Sequence, residues 1–391
     1  MNRQQTNEQI LTLTKSYSNI LIELPTGFGK SKIAIDIAKE AHPTNILIVV
    51  PRNVLKGNWQ QECKKWGLSI DNITFVTYVS FPKKIGGKWD LVIFDEAHHL
   101  SERCRDHITE GNITINRSIL LSATVSKTLR VELNYCFSNL YTYKVSMRKA
   151  IESDILPDPT VYLIPLELDN KSYCFETIKG NKKAKLVVYD TYQNRWKYKG
   201  VKDKKVIIQC TQKQYYDEMS SLIAWYKTKM YVEAFKNLYL QECGKRIKWL
   251  SNQKTRIVFN ILNLLKDKRT LTFCNSIEQT ELLGKYCINS KNKQSQSHLL
   301  DFNDGVVKHI TACNILDEGM NLVDCQVGIY AVLNSSERMI KQKMGRLLRH
   351  KEPILIIPYF KNTRDEEIVG KMTEDYNPEN IKVVNDLKDI C

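Results

Sequence analysis

Eight residues, Leu24-Pro25-Thr26-Gly27-Phe28-Gly29-Lys30-Ser31, constrain this chain more than any others. They stand between an apolar run, Asn19-Ile20-Leu21-Ile22-Glu23-Leu24, and a run with helical spacing, Lys32-Ile33-Ala34-Ile35-Asp36-Ile37-Ala38. The order is strand, glycine loop, helix. A loop built on Gly27 and Gly29 lets consecutive backbone N–H groups wrap a phosphate chain, and the following helix turns its positive end toward it. Thr26 completes that loop, Lys30 reaches the outer phosphates, and Ser31 offers a hydroxyl to Mg2+. The stretch reads as a cradle for a nucleoside triphosphate.

The rest of the N-terminal third repeats the alternation. Strands are expected over 19–24, 45–50, 73–77, 90–94 and 118–121, with helices over 6–13, 30–41 and 54–66. Nearly continuous apolar strands alternating with helices make a parallel sheet covered on both faces, and ligands of such sheets lie beyond the carboxyl ends of the strands. Asp95-Glu96-Ala97-His98 follows one of those ends and Ser122-Ala123-Thr124 another. Asp95 suits a metal-binding role beside a phosphate loop, and Glu96 suits taking a proton from an attacking water. An isolated Asp-Glu pair more often caps a surface helix; its place after a buried strand separates this one from that case.

Length and charge set the wider bounds. At 391 residues the chain has room for two or three domains with packed cores. No apolar run approaches the roughly 18 residues that span a bilayer, and Met1 to Glu8 lacks the basic start and apolar middle of a secretory signal, so a cytoplasmic protein is expected. Eleven cysteines are scattered with no C-x-x-C pair, which points to reduced thiols. Net charge is +15 and unevenly spread: residues 171–255 hold 19 Lys and Arg against 7 Asp and Glu, with nine of the 19 tyrosines and three of the six tryptophans. Basic side chains release phosphate counterions and aromatic faces stack on bases, so a nucleic-acid partner is the economical explanation.

After a linker-like run over 155–159 and an apolar strand over 161–166, that basic segment opens with polar residues and turn signals. It then takes a long helical pattern over 213–249. Strand and helix alternation returns from residue 255, with strands over 269–274, 306–311, 327–330 and 353–357 and helices over 256–265, 277–286 and 337–348. This second α/β layer has no glycine-rich phosphate loop of its own.

The order and spacing of several clusters resemble superfamily 2 helicases. Pro25 to Ser31 is similar to that family's motif I, Val49-Val50-Pro51-Arg52 to motif Ia, Asp95-Glu96-Ala97-His98 to motif II and Ser122-Ala123-Thr124 to motif III. Phe273-Cys274-Asn275-Ser276 resembles motif IV, and Thr311-Ala312-Cys313 with Glu318-Gly319-Met320-Asn321-Leu322 resembles motif V. Gln342-Lys343-Met344-Gly345-Arg346-Leu347-Leu348-Arg349 resembles motif VI. The family favours a small or apolar residue at the position of Leu24, where the general loop formula has Gly. The resemblance covers roughly residues 3–150 and 255–360; it departs at Asn321, where many relatives carry Asp.

The resemblance implies an α/β protein of two tandem RecA-like parallel-sheet domains with a basic, largely helical insertion between them. The expected divisions are an ATP-binding domain over 1–150, a linker and the first strand of the second half over 151–170, the insertion over 171–255 and the second domain over 256–391. It implies ATP and Mg2+ as cofactors, with Ser31 and Asp95 on the metal and Lys30, Asp95, Glu96, Arg346 and Arg349 in catalysis. Two arginines three apart share a helix face, and guanidinium groups suit developing phosphoryl charge. Gly319 and Gln342 join the nucleotide set, and an adenine-reading glutamine falls to Gln4, Gln5 or Gln9, with Gln5 favoured. Pro51, Arg52, Thr77, Ser276 and Thr311 are the expected nucleic-acid contacts. The implied function is an ATP-dependent helicase or translocase on DNA in preference to RNA, with a monomer plausible and, for a viral chain, the host cytoplasm as its location. The alternatives are an ATP-gated nucleic-acid clamp and a motor subunit of a restriction or remodelling complex.

Overall fold

The computed structural model describes residues 2–179, 185–190, 195–200, 205–313, 322–334 and 350–390. Its first domain is a six-stranded sheet of β1 (Asn19–Glu23), β2 (Ile46–Val50), β3 (Ile73–Thr77), β4 (Gly87–Phe94), β5 (Ile113–Ser122) and β6 (Tyr141–Lys144), in the order β3-β2-β4-β5-β1-β6. Every pairing in it is parallel. The helices are α1 (Arg3–Ser16), α2 (Lys30–Ala41), α3 (Val54–Lys65), α4 (Glu102–Thr109), α5 (Lys127–Cys136) and α6 (Met147–Glu152). The central strands are apolar on both faces because both are covered: Ile20, Leu21 and Ile22 of β1 and Leu47, Ile48 and Val49 of β2 are fully buried. Each such side chain contributes on the order of 1.5–3 kcal/mol of burial.

The sequence reading starts β4 and β5 late and passes over β6. The first residues of β4 and β5 mix polar and apolar types, and β6, Tyr-Thr-Tyr-Lys, is a half-exposed edge strand. None of these pieces has the continuous apolar run by which the central strands are recognised.

Past α6, β7 (Thr160–Leu166) opens the second domain, and the basic segment follows it. That segment is helical in its second half, as expected, and carries strands before it. Its first part is strand: β8 (Cys174–Lys179) pairs antiparallel with β11 (Lys205–Cys210), and β9 (Lys185–Asp190) with β10 (Arg195–Gly200). The alternation Arg195-Trp196-Lys197-Tyr198-Lys199 carries the period of two that specifies a strand. The long helix is two, α7 (Gln212–Lys227) and α8 (Glu233–Gln253), folded back as a hairpin. Apolar spacing runs through the turn at residues 228–232, so periodicity alone cannot see the break.

The remaining elements are α9 (Thr255–Leu264), β12 (Thr270–Cys274), α10 (Ile277–Leu283), β13 (Cys287–Ile288), α11 (Ser295–Asn303), β14 (His309–Cys313), β15 (Val327–Tyr330), β16 (Ile354–Phe360), α12 (Arg364–Thr373) and β17 (Ile381–Val383). They complete a second parallel sheet in the order β13-β14-β12-β15-β16-β7-β17. Because β7 lies between β16 and β17, the basic segment is inserted within the second domain, not between the two domains. The segment beyond residue 362, outside the motif pattern, supplies α12 and β17 to the same sheet layer. The expected helix over 337–348 lies outside the described residues.

The hairpin is anchored at its foot. Tyr216, Met219, Trp249 and Leu250 pack against Phe360 at the end of β16, and the buried Lys254 ammonium meets the Asp365 carboxylate at 2.6 Å. A continuous apolar core passes from the first sheet to the second through Met147, Ala150, Ile151, Ile155 and Leu156. Among the described residues no helix is long and apolar enough to cross a membrane.

Candidate active site

The glycine loop leaves β1 and enters α2 in a conformation that its sequence dictates. Gly27 has φ 89° and Gly29 φ 107°, in the left-handed region that residues with a Cβ rarely adopt. A Cβ built at Gly29 would meet no atom within 4 Å, so the backbone there faces open space. No side chain caps α2, which leaves its first N–H groups for a ligand. Leu24 N–H donates to the Ser122 carbonyl at 3.1 Å, tying the loop to the end of β5. Behind it the buried Glu23 carboxylate is held by Arg130 and, at 3.0 Å, by Lys144.

Asp95 and Glu96 follow β4, two strands from β1. Asp95 N–H donates to the Val49 carbonyl at 2.9 Å, and its side chain accepts from the Trp59 indole N–H at 2.8 Å. Tyr78 Oη donates to the Asp95 carbonyl, also at 2.8 Å. Burial, seconded by the Glu96 charge, pushes the Asp95 carboxyl up to about 6, against the opposing pull of Trp59 and Lys30. Glu96 sits at φ 51°, a left-handed conformation that turns its carboxylate out of the strand direction. Its Oε2 lies 3.4 Å from His98 Nδ1, and the same imidazole nitrogen is 3.2 Å from Ser122 Oγ. His98 thus links Glu96 to the Ser122-Ala123-Thr124 turn, and Ser122 Oγ in turn donates to the Thr124 carbonyl at 2.9 Å.

Thr26 Oγ1 and Thr124 Oγ1 beside this cleft are buried without a hydrogen-bond partner, and Glu96 Oε2 meets the His98 ring at 3.4 Å. The Thr26 and Thr124 hydroxyls stand on separate loops at the same strand ends, where a bound polar ligand would satisfy both. The donor set fits a magnesium-bound triphosphate: open backbone N–H groups, one ammonium, a hydroxyl at Ser31 and a carboxylate at Asp95. Lys30 Nζ donates here to the Leu24 carbonyl at 3.1 Å, which parks the ammonium inside the loop.

Other expected site residues fall differently. Gln5 forms a capping box with Asn2: its amide oxygen accepts Asn2 N–H and its own N–H donates to Asn2 Oδ1, both at 2.8 Å. The Gln9 amide oxygen accepts from Tyr143 Oη and Gln4 donates to Glu8. Arg52 is exposed beside the half-buried Pro51, just before α3. Thr77 is buried and donates to Ser80 Oγ. Ser276, 7% exposed, caps α10 by accepting Gln279 N–H, and Thr311, 2% exposed in the middle of β14, donates to the Thr280 carbonyl. Thr77, Ser276 and Thr311, three of the expected nucleic-acid contacts, thus each make a hydrogen bond within the fold. Gly319, Gln342, Arg346 and Arg349 lie outside the described residues.

Three contributors escape the sequence reading. Trp59 belongs to the buried helix face Leu55, Trp59, Cys63, a spacing that announces packing and not an indole aimed at Asp95. Tyr78 faces inward although it follows a strand end. Arg3 Nη2 donates to the Gly27 carbonyl at 3.3 Å and to the Ile155 carbonyl at 2.9 Å, bridging the phosphate loop and the interdomain linker.

Comparison with known proteins agrees with this architecture. Residues 2–77 match the family model described as type III restriction enzyme, res subunit, and residues 253–351 match the helicase conserved C-terminal domain. The chain is 26% identical over 381 residues to the DNA 3'-5' translocase XPB2 of Sulfurisphaera tokodaii, spanning 91% of this chain and 79% of the relative. The Pyrococcus furiosus Hef helicase domain superposes with a TM-score of 0.52 at 15% identity, over 92% of this chain and 96% of its own. The DNA-bound Type ISP restriction-modification enzyme LlaBIII gives 0.60 at 12% identity, over 99% of this chain and 31% of its own. The motifs, both family matches and the paired sheets agree in supporting a superfamily 2 helicase.

Proposed function

We propose that this protein is an ATP-dependent DNA translocase, hydrolysing Mg-ATP between its two sheets to move along a strand. The observation that carries the reading is the uncapped glycine loop with the buried Thr26 and Thr124 hydroxyls beside it, set against Asp95 and Glu96. Mg2+, held by Ser31 and Asp95, would supply charge neutralisation at the phosphates. Gly27, Gly29 and the first N–H groups of α2 cradle the phosphate chain, and Lys30 turns from the Leu24 carbonyl to the outer phosphates. Glu96 orients an attacking water and accepts its proton, with His98 fixing the carboxylate against the Ser122 turn. Arg346 and Arg349 reach the transferring group from the second domain. Gly319 and Gln342 complete the nucleotide set on that side.

DNA is preferred as the track because the S. tokodaii relative is a DNA translocase and LlaBIII is bound to DNA. The basic insertion offers the charge such a track demands. Arg52 is the strand contact of the first domain; Gln5 keeps only its amide nitrogen for adenine.

Displacement of streptavidin from biotinylated single-stranded DNA tests the motor directly. ATP should accelerate release from the 5' end, as 3'-to-5' travel requires, and the Glu96→Gln variant should not. Equal release with and without ATP, alongside retained strand binding, would contradict translocation and leave an ATP-gated clamp.

A further inference from the structure

Away from the nucleotide cleft, a cavity of about 630 Å³ opens between the α7–α8 hairpin and the start of α12. That volume lies in the range of small-ligand sites. Two guanidinium groups reach it from different elements, Arg246 from α8 and Arg364 from the first position of α12. Arg246 donates to Ser220 Oγ at 3.0 Å, lies 5.7 Å from the Tyr216 ring centre, and keeps its Nε buried without an acceptor. The Arg364 backbone N–H donates to Tyr216 Oη at 2.8 Å, which fixes where its half-buried side chain starts. Burial and the Arg246 charge together hold the Arg364 guanidinium below its usual range. Lys227 adds a third positive charge to the lining.

Like charges gathered in a partly desolvated cavity repel each other and lose hydration, so the arrangement is relieved by an anion. Guanidinium forks suit phosphate oxygens in particular. The same cavity also carries Glu366 and Glu367. Glu366 is engaged in part, accepting the Asn362 N–H at 2.9 Å. A bare phosphate has no use for carboxylates; a ligand with an anionic end and hydrogen-bond donors elsewhere does. Tyr216 and Tyr239 give it aromatic walls. Asp365, next to Arg364, pairs with Lys254 at the foot of the hairpin, with 4% and 1% side-chain exposure, which ties the start of α12 to α8.

We propose that this cavity binds one nucleotide unit, with its phosphate between Arg246 and Arg364 and its base against the tyrosines. The unit is either a free mononucleotide or a nucleotide of the tracked strand; only the second form rests on the motor reading above.

Calorimetric titration separates the possibilities, with one equivalent of ADP and excess beryllium fluoride filling the glycine-loop cleft so that no free ADP occupies the second cavity. The probes are AMP, thymidine monophosphate, and a short oligothymidylate with and without a 5'-phosphate. The wild-type protein should bind one further equivalent of mononucleotide or oligothymidylate. Arg246→Gln and Arg364→Gln should each weaken that binding about tenfold or more, as loss of a charge-assisted hydrogen bond implies, and Arg246→Lys should recover part of it. ATP hydrolysis without nucleic acid should stay within about twofold of wild type in all three variants. Binding of mononucleotide alone assigns the free form, and binding of oligothymidylate alone assigns the strand form. No binding by any probe, or equal binding by wild type and both glutamine variants, overturns the proposal. DNA-stimulated hydrolysis is measured on the same samples: its absence from wild type sinks the motor reading while second-site binding of AMP still stands.

Discussion

Two strand–turn–helix units at corresponding ends of the two sheets leave their polar groups in opposite states. From β1 the chain passes Thr26, Gly27 and Gly29 into an uncapped α2, with Thr26 Oγ1 buried and partnerless. From β12 it passes Asn275 and Ser276 into α10, where every turn is closed by one side chain. Gln279 accepts from Asn275 N–H at 3.1 Å and Ser251 Oγ at 2.7 Å, and it donates to the Ser251 carbonyl at 2.6 Å and Thr255 Oγ1 at 3.2 Å. The first unit leaves its helix start open, and the second closes its own through Gln279 and Ser276. Open N–H groups at an uncapped helix start leave room for a ligand, and a turn closed by its own side chains serves as a joint, even where its sequence resembles a contact motif.

The largest effects should come from the open unit. Lys30→Ala and Glu96→Gln should each lower ATP turnover by about a hundredfold or more while strand binding persists, read by phosphate release and fluorescence anisotropy. Near-wild-type turnover in either variant would erase the contrast between the two units. The joint should answer in stability instead. Lys254→Ala leaves the Asp365 carboxylate buried and unpaired and should lower unfolding free energy by about 3–5 kcal/mol in urea, with nucleotide affinity in the first domain unchanged.

A pH profile probes the open unit more gently. The Asp95 carboxyl is raised from 3.8 to about 6, so below that pH the proton competes with Mg2+. Affinity for Mg-nucleotide should be constant above pH 6 and fall by roughly tenfold per unit below it. In the nucleotide-free protein the sign is reversed: this group's contribution to stability is present below pH 3.8 and lost as pH rises through 6. A flat affinity between pH 5 and pH 7 would remove Asp95 from the metal site. The smallest change is Ser276→Ala, which deletes one helix cap and should cost about 1 kcal/mol of stability with hydrolysis intact. A loss of strand binding there would return Ser276 to the nucleic-acid set.

The contrast also explains what the sequence makes legible. Gly27, Gly29, Lys30, Asp95 and Glu96 stand out because their chemistry requires fixed residue types at fixed spacing beside apolar strands. Gln279, Trp59 and Tyr78 do not, since their roles depend on which distant backbone or carboxylate they face. Thr311 was expected at a strand end, yet it faces α10 from the interior of β14; residue type cannot distinguish a threonine that touches a ligand from one that touches a carbonyl. In the basic segment, composition reveals the excess of charge but hides the four strands, which are short and separated by short polar runs. The Arg246–Arg364 cavity is invisible in sequence because its walls lie more than a hundred residues apart.

Steady-state ATP hydrolysis by the purified protein, alone and with single-stranded DNA, duplex DNA, single-stranded RNA or duplex RNA at two salt concentrations, tests the central claim most directly. Stimulation by DNA that weakens as salt rises is the predicted result. Hydrolysis that is equal under all five conditions would contradict it, since the glycine-loop cleft would then be working without a track.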